Sequence, residues 1–100
     1  MFLTGADLVL NRTGDIIHVA ERIKEVAGYE ERELIGKKGF GVLFASVHYD
    51  LIVAQRNLRV SVITSLRRKD GGLIRVGITI RNLLHIEHIN GVIINLYPIS

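Results

Sequence analysis

The spacing of apolar residues changes twice along the chain, and the changes divide it into strands, helices and strands again. Residues 7–10 (DLVL) and 16–19 (IIHV) are short apolar runs, and the NRTGD between them supplies turn residues. This pattern predicts a hairpin with Gly14 in the left-handed backbone conformation. The spacing then becomes helical. In AERIKEVAG, Ala20, Ile23, Val26 and Ala27 share a face, and Gly28 supplies the stop. EERELIG predicts a second helical turn stopped by Gly36, and KKGFGV is too rich in glycine for a regular element. Phe44, Val47, Leu51, Ala54 and Leu58 recur at steps of three and four and predict one longer helix. Ser46 is its expected N-cap, with Asp50 early and Arg56 and Arg59 late, as the helix dipole favours.

From residue 60 the period is two. VSVITSLRR and LIRVGITIRNL read as strands joined by a tight Asp70-Gly71 turn. Ile74, Val76, Ile78 and Ile80 point one way, and Arg75, Gly77, Thr79 and Arg81 the other. The last strand, GVIINLY, is apolar on both faces, with Val92, Ile94 and Leu96 on one and Ile93 and Tyr97 on the other. Such a strand needs cover on both sides. The order of elements predicts an α+β fold: a five-stranded antiparallel sheet with short helices and one longer helix packed on one face.

Composition narrows the function. A length of 100 residues suits one domain with one core. There is no cysteine, which excludes disulfides, thiolate metal sites, thiol nucleophiles and a covalent flavin adduct. No apolar run reaches membrane-spanning length, and the first residues lack a basic region followed by an apolar one, so a cytoplasmic location is expected. The net charge of +3 is unevenly spread: residues 1–50 hold eight acids and six bases, and residues 51–100 hold seven bases with only Asp70 and Glu87 as acids. That imbalance fits the solvated face of a sheet or a nucleic-acid surface. Tyr97 is the only aromatic residue after position 50, so no stacking side chains interleave with the cations. A nucleic-acid-binding module using the basic C-terminal half is therefore the alternative rather than the expectation.

The run GDIIHVAERIKEVAGYEERELIGKK, followed after a helix by RRKDGG and two more strands, resembles a PAS domain. The likeness spans about Asp7 to Tyr97. It rests on Gly14, the Gly28-Tyr29 pair, Glu33-Leu34-Ile35-Gly36-Lys37, and Arg67 to Gly71, in that order and spacing. Two departures stand out. Ala20 occupies a position where the family often has an asparagine that starts the helix, and Pro98 stands where an aspartate often couples the last strand to a following helix. The resemblance implies that residues 1–100 form a single sensor domain, as it could be excised from a longer signalling protein. It implies a non-enzymatic sensory or dimerisation module of a histidine kinase or transcription regulator, such as a two-component system.

The resemblance also implies a pocket between helices and sheet that holds a small ligand or is filled by side chains. Its candidate lining is Ile23, Val26, Phe40, Leu51, Ala54 and Leu58, with Tyr49, Thr64 and Asn95 as polar contacts. Haem-binding members commonly place a histidine late in the long helix. Here those positions are Gln55, Arg56, Asn57 and Leu58, and His48 lies near the helix start, so neither haem nor flavin is expected. The HIEH run at residues 85–88 offers two histidines, too few for a zinc site, and no metal is expected. No catalytic constellation stands out. A homodimer is expected through the outer sheet face, with Ile93 and Tyr97 at the interface.

Overall fold

The computed structural model describes residues 5–97 and 99, and its five strands form one antiparallel sheet in the order β2-β1-β5-β4-β3. β1 (Leu8–Leu10) and β2 (Ile16–Val19) form the first hairpin. The chain then crosses the inner face of the sheet as four short helical segments: α1 (Glu21–Ala27), α2 (Glu31–Leu34), α3 (Gly39–Val42) and α4 (Tyr49–Val53). It returns at the far edge as β3 (Arg59–Arg67), β4 (Leu73–Leu83) and β5 (Gly91–Tyr97), and β5 closes the sheet against β1.

The period-two pattern explains the layers. Val76, Ile78, Ile80, Val92 and Ile94 line the inner face and meet Ile23, Ala27, Leu34, Leu43 and Phe44 in one core. Helix α1 ends as the sequence predicts, with Gly28 in the left-handed region at φ 82° and its N–H donating to the Lys24 carbonyl. At its start Ala20 makes no side-chain cap. Its N–H donates instead to the Asp7 carbonyl, at 2.9 Å, which ties the helix entry to the strand beside it.

Two expectations change. The longer helix is a five-residue segment, Tyr49–Val53, with His48 at its N-terminus and no capping side chain, so Ser46 does not cap it. Phe44 is buried near α3, residues 45–48 between it and α4 are not helical, and Asn57 at φ 63° turns the chain into β3. The apolar stripe thus belongs to separate segments. The second change is at RRKDGG. Gly71 N–H donates to the Arg68 carbonyl and Arg68 N–H to the Gly72 carbonyl, with Gly71 alone at positive φ. Lys69-Asp70-Gly71 is therefore a three-residue loop, a turn followed by a left-handed glycine, and not a two-residue turn.

The cations of this loop are tied down rather than simply wet. Lys69 donates its N–H to the Ala27 carbonyl at 2.9 Å and places its ammonium 2.7 Å from Glu33. Arg67 donates from Nη1 to the Gly41 carbonyl at 2.8 Å. The hairpin tip thereby holds the ends of α1 and α2. A Cβ on Gly71 would meet nothing within 4 Å, so substitution there acts through backbone strain alone. Gly71→Val is expected to cost about 1–3 kcal/mol, and Gly71→Asn clearly less, because asparagine visits this region. Urea denaturation of both variants checks the ranking.

Candidate functional site

The residues expected to line a pocket do not converge. Ile23 is fully buried in the core, and Val26 and Phe40 pack partly buried against it. Leu51 is 59% exposed, on the outward side of α4, whose Tyr49, Ile52 and Val53 pack against the core, and Ala54 at the helix end is exposed. Leu58 is half-buried beside β3, and Thr64 lies half-buried on the inner face opposite Val76. Asn95 is on the outer face, in register with Thr79, and its Oδ1 accepts the Asp7 N–H at 2.9 Å. The alternation along β5 puts it there: Leu96, not Asn95, faces inward. The fully buried Leu43 and Phe44 occupy the space between helices and sheet.

Tyr49 has a different task from ligand contact. Its hydroxyl donates to the Asn11 carbonyl at 2.9 Å, and its ring lies against Gly14, where a Cβ would come within 3.3 Å. Phe40 packs on both Tyr49 and Phe44, at centroid distances of 6.1 and 5.8 Å. Burial, with a smaller effect from the Asp15 carboxylate, raises the Tyr49 phenol well above its ordinary value. The residue fastens α4 to the β1–β2 turn.

In that turn Asp15 accepts from Lys38 at 2.8 Å and from Thr13 at 2.7 Å. The Lys38 hydrogen bond foremost, then that of Thr13, lowers its carboxyl to about 2. A depressed carboxyl contributes stability that is complete above the ordinary carboxylate range and is lost as pH falls toward about 2. NMR titration is expected to place the Asp15 midpoint near that value, and Lys38→Met to move it up.

Two clusters escaped the sequence reading. Arg22 of α1 pairs bidentately with Asp7, and its Nη2 also donates to the Leu96 carbonyl at 2.7 Å. Asp7 Oδ2 accepts the Leu96 N–H at 2.7 Å. Strand β1 begins only at Leu8, paired with Ile94, so the Leu96 backbone has no ladder partner on that side. The ion pair supplies both missing partners. In the second cluster, buried Asn82 donates from Nδ2 to the carbonyls of Ile52, Val53 and Gln55 at 2.8, 3.1 and 3.0 Å, and its Oδ1 accepts the Leu84 N–H. It holds the end of α4 on β4. Asparagine between Arg81 and Leu83 on an inward position of an apolar strand was the available signal.

The outer face is ordered in cross-strand rows. Arg59, Arg81 and Ile93 form one row, Ser61, Thr79 and Asn95 the next, and Ile63, Gly77 and Tyr97 the third. The Tyr97 ring covers Gly77, where a Cβ would fall 2.2 Å from it, and Ile63 beside it is 55% exposed. Ile93, expected to be open for an interface, is only 2% exposed, flanked in register by Val9 and Arg81. Pro98 lies outside the described residues. His48, Glu87 and His88 are exposed, and His85 is half-buried. No helix among the described residues is long and apolar enough to cross a membrane.

An open five-stranded antiparallel sheet, with the chain's first and last strands paired side by side within it and short helices crossing one face, is the PAS architecture. Several solved structures share it, two of them as follows. The PAS domain of an HTR-like protein from Haloarcula marismortui superposes with a TM-score of 0.67 at 20% identity, over 90% of this chain and 78% of that one. The PAS-B domain of Drosophila melanogaster Cycle, with bound ethylene glycol, superposes with a TM-score of 0.70 at 18% identity, over 90% of this chain and 95% of that one. No family model matches the sequence, and no curated protein matches it significantly. The chain has the PAS fold.

Proposed function

We propose that this chain is a non-enzymatic sensory and dimerisation module of a signal-transduction protein of the histidine kinase or transcription regulator type. The observation that carries the reading is the Arg22–Asp7–Leu96 tie. Helix α1 presents Ile23 and Val26 to the interior, and Arg22 on the same helix grips the end of β5, where the chain leaves the sheet. A small ligand that shifts α1 would move the last strand directly. The fold likeness supports a sensor, and the Ile63–Gly77–Tyr97 row, with Leu73 68% exposed nearby, supports association through the outer face.

Native mass spectrometry of the purified chain tests both parts. A dimer that Tyr97→Asp converts to monomer is expected. A strict monomer without adduct at high concentration would overturn the reading. A second reading, nucleic-acid binding, draws on Arg59, Arg75 and Arg81, which the strand register gathers on one face. It requires affinity that falls steeply with salt in a gel-shift titration.

A further inference from the structure

A cleft of about 350 Å³ opens at one end of the sheet, away from the interior residues discussed above. Arg12 enters it from the β1–β2 turn, Val53 and Arg56 from the end of α4 and the residues after it, and Asn82, Leu84 and His85 from the end of β4. Its walls are fastened to one another. Asn82 binds three carbonyls at the end of α4, and Tyr49 binds the Asn11 carbonyl beside Arg12. A site built this way keeps its shape without a ligand.

The polar groups are of one kind. The lining contains two guanidinium groups and an imidazole but no carboxylate. Among the described residues, neither Arg12 nor Arg56 has an acidic partner. The Asn82 amide is already spent on backbone. His85 Nδ1 is buried with no hydrogen-bond partner, an uncommon and costly state for a polar atom. Val53 and Leu84 supply apolar wall. Acids adjoin the cleft without lining it: Asp50 lies in an adjoining cleft that shares Arg12 and Val53, exposed Glu87 follows His85 by two residues, and Asp15 in the turn with Arg12 is paired with Lys38. Guanidinium groups bind planar oxyanions through paired hydrogen bonds, and a neutral or protonated imidazole can add a donor.

We infer that this cleft binds a small oxyanion, a carboxylate or a phosphate, through Arg12, Arg56 and His85. The site is separate from the interior and from the outer face, so it stands whether or not the sensor reading holds.

The test is NMR titration of the full chain with inorganic phosphate and, separately, with succinate, at constant ionic strength against chloride. Saturable shifts are expected at the amides of Val53, Leu84 and His85 and at the Arg12 and Arg56 side chains. Saturation by one anion alone identifies its class as the carboxylate or the phosphate. Arg56→Gln and Arg12→Gln are each expected to weaken binding about tenfold or more. Thermal melting should be unchanged, because both side chains are exposed and unpaired among the described residues. Shifts that stay linear with both anions to about 10 mM would overturn the proposal, as would saturation that both variants leave intact.

Discussion

Replacing Asp7 with alanine is expected to lower the unfolding free energy by about 2–4 kcal/mol. Asp7 is 4% exposed and works at both ends. Its carboxylate accepts from Arg22 and from the Leu96 N–H, while its backbone bonds Asn95 and Ala20. Alanine keeps the backbone bonds and removes the rest. The Leu96 amide then has no acceptor where β1 has not yet begun, and the guanidinium loses its counter-ion. Arg22→Ala should cost a similar amount, because it leaves the Asp7 carboxylate, whose side chain is 6% exposed, without its counter-ion and the Leu96 carbonyl without its donor. Hydrogen exchange locates the damage: protection should fall first at Leu96 and then toward the start of α1. A loss below about 1 kcal/mol for Asp7→Ala, or uniform loss of protection, would show that the pair is not what holds β5 to α1.

Asn82 should be as sensitive, with a ranking that depends on chemistry rather than size. Its Nδ2 carries two protons and has three carbonyl oxygens within 3.1 Å, so one proton is shared between two acceptors. Asn82→Ala leaves those carbonyls and the Leu84 N–H without their partner and is expected to cost about 2–4 kcal/mol. Asn82→Asp should be worse at neutral pH, since a carboxylate would face three carbonyl oxygens with nothing to donate. Its pKa would then be raised in the folded state, so the aspartate variant should regain stability as pH falls and the carboxyl takes a proton. Chemical denaturation of both variants at two pH values checks this. If aspartate is tolerated like alanine at neutral pH, the three-carbonyl arrangement is not the source of the stability.

Local chemistry made much of the fold legible. The strands appear where β-branched residues alternate, and the left-handed positions at Gly14, Gly28 and Gly71 follow from residues with no Cβ. These signals need only neighbours a few positions apart. The expected long helix shows where that logic fails. Steps of three and four from Phe44 to Leu58 suit a helix, but the same spacing arises when Phe44 fills the core from one segment and Leu51 stays in water on another. Periodicity records which residues are apolar; it does not record whether the backbone between them is continuous. Asn95 failed for a related reason: its polarity suggested a pocket, and the pleat of β5 turned it to the other face.

The sequence by itself determined the order of strands and helices, the positions of the turns, the inward residues of β4 and the absence of thiol chemistry. It determined these because each depends on propensities and alternation within a short window. Only the tertiary structure decided that Asp7 and Arg22 complete the backbone of Leu96, that Asn82 gathers the end of α4, and that Arg12, Arg56 and His85 share one cleft. Those partners lie 15 to 89 positions apart in the two hydrogen-bonded clusters. Their meeting depends on β1 beginning at Leu8, two residue pairs short of Leu96, and on the path of the chain across the sheet, which no short stretch encodes.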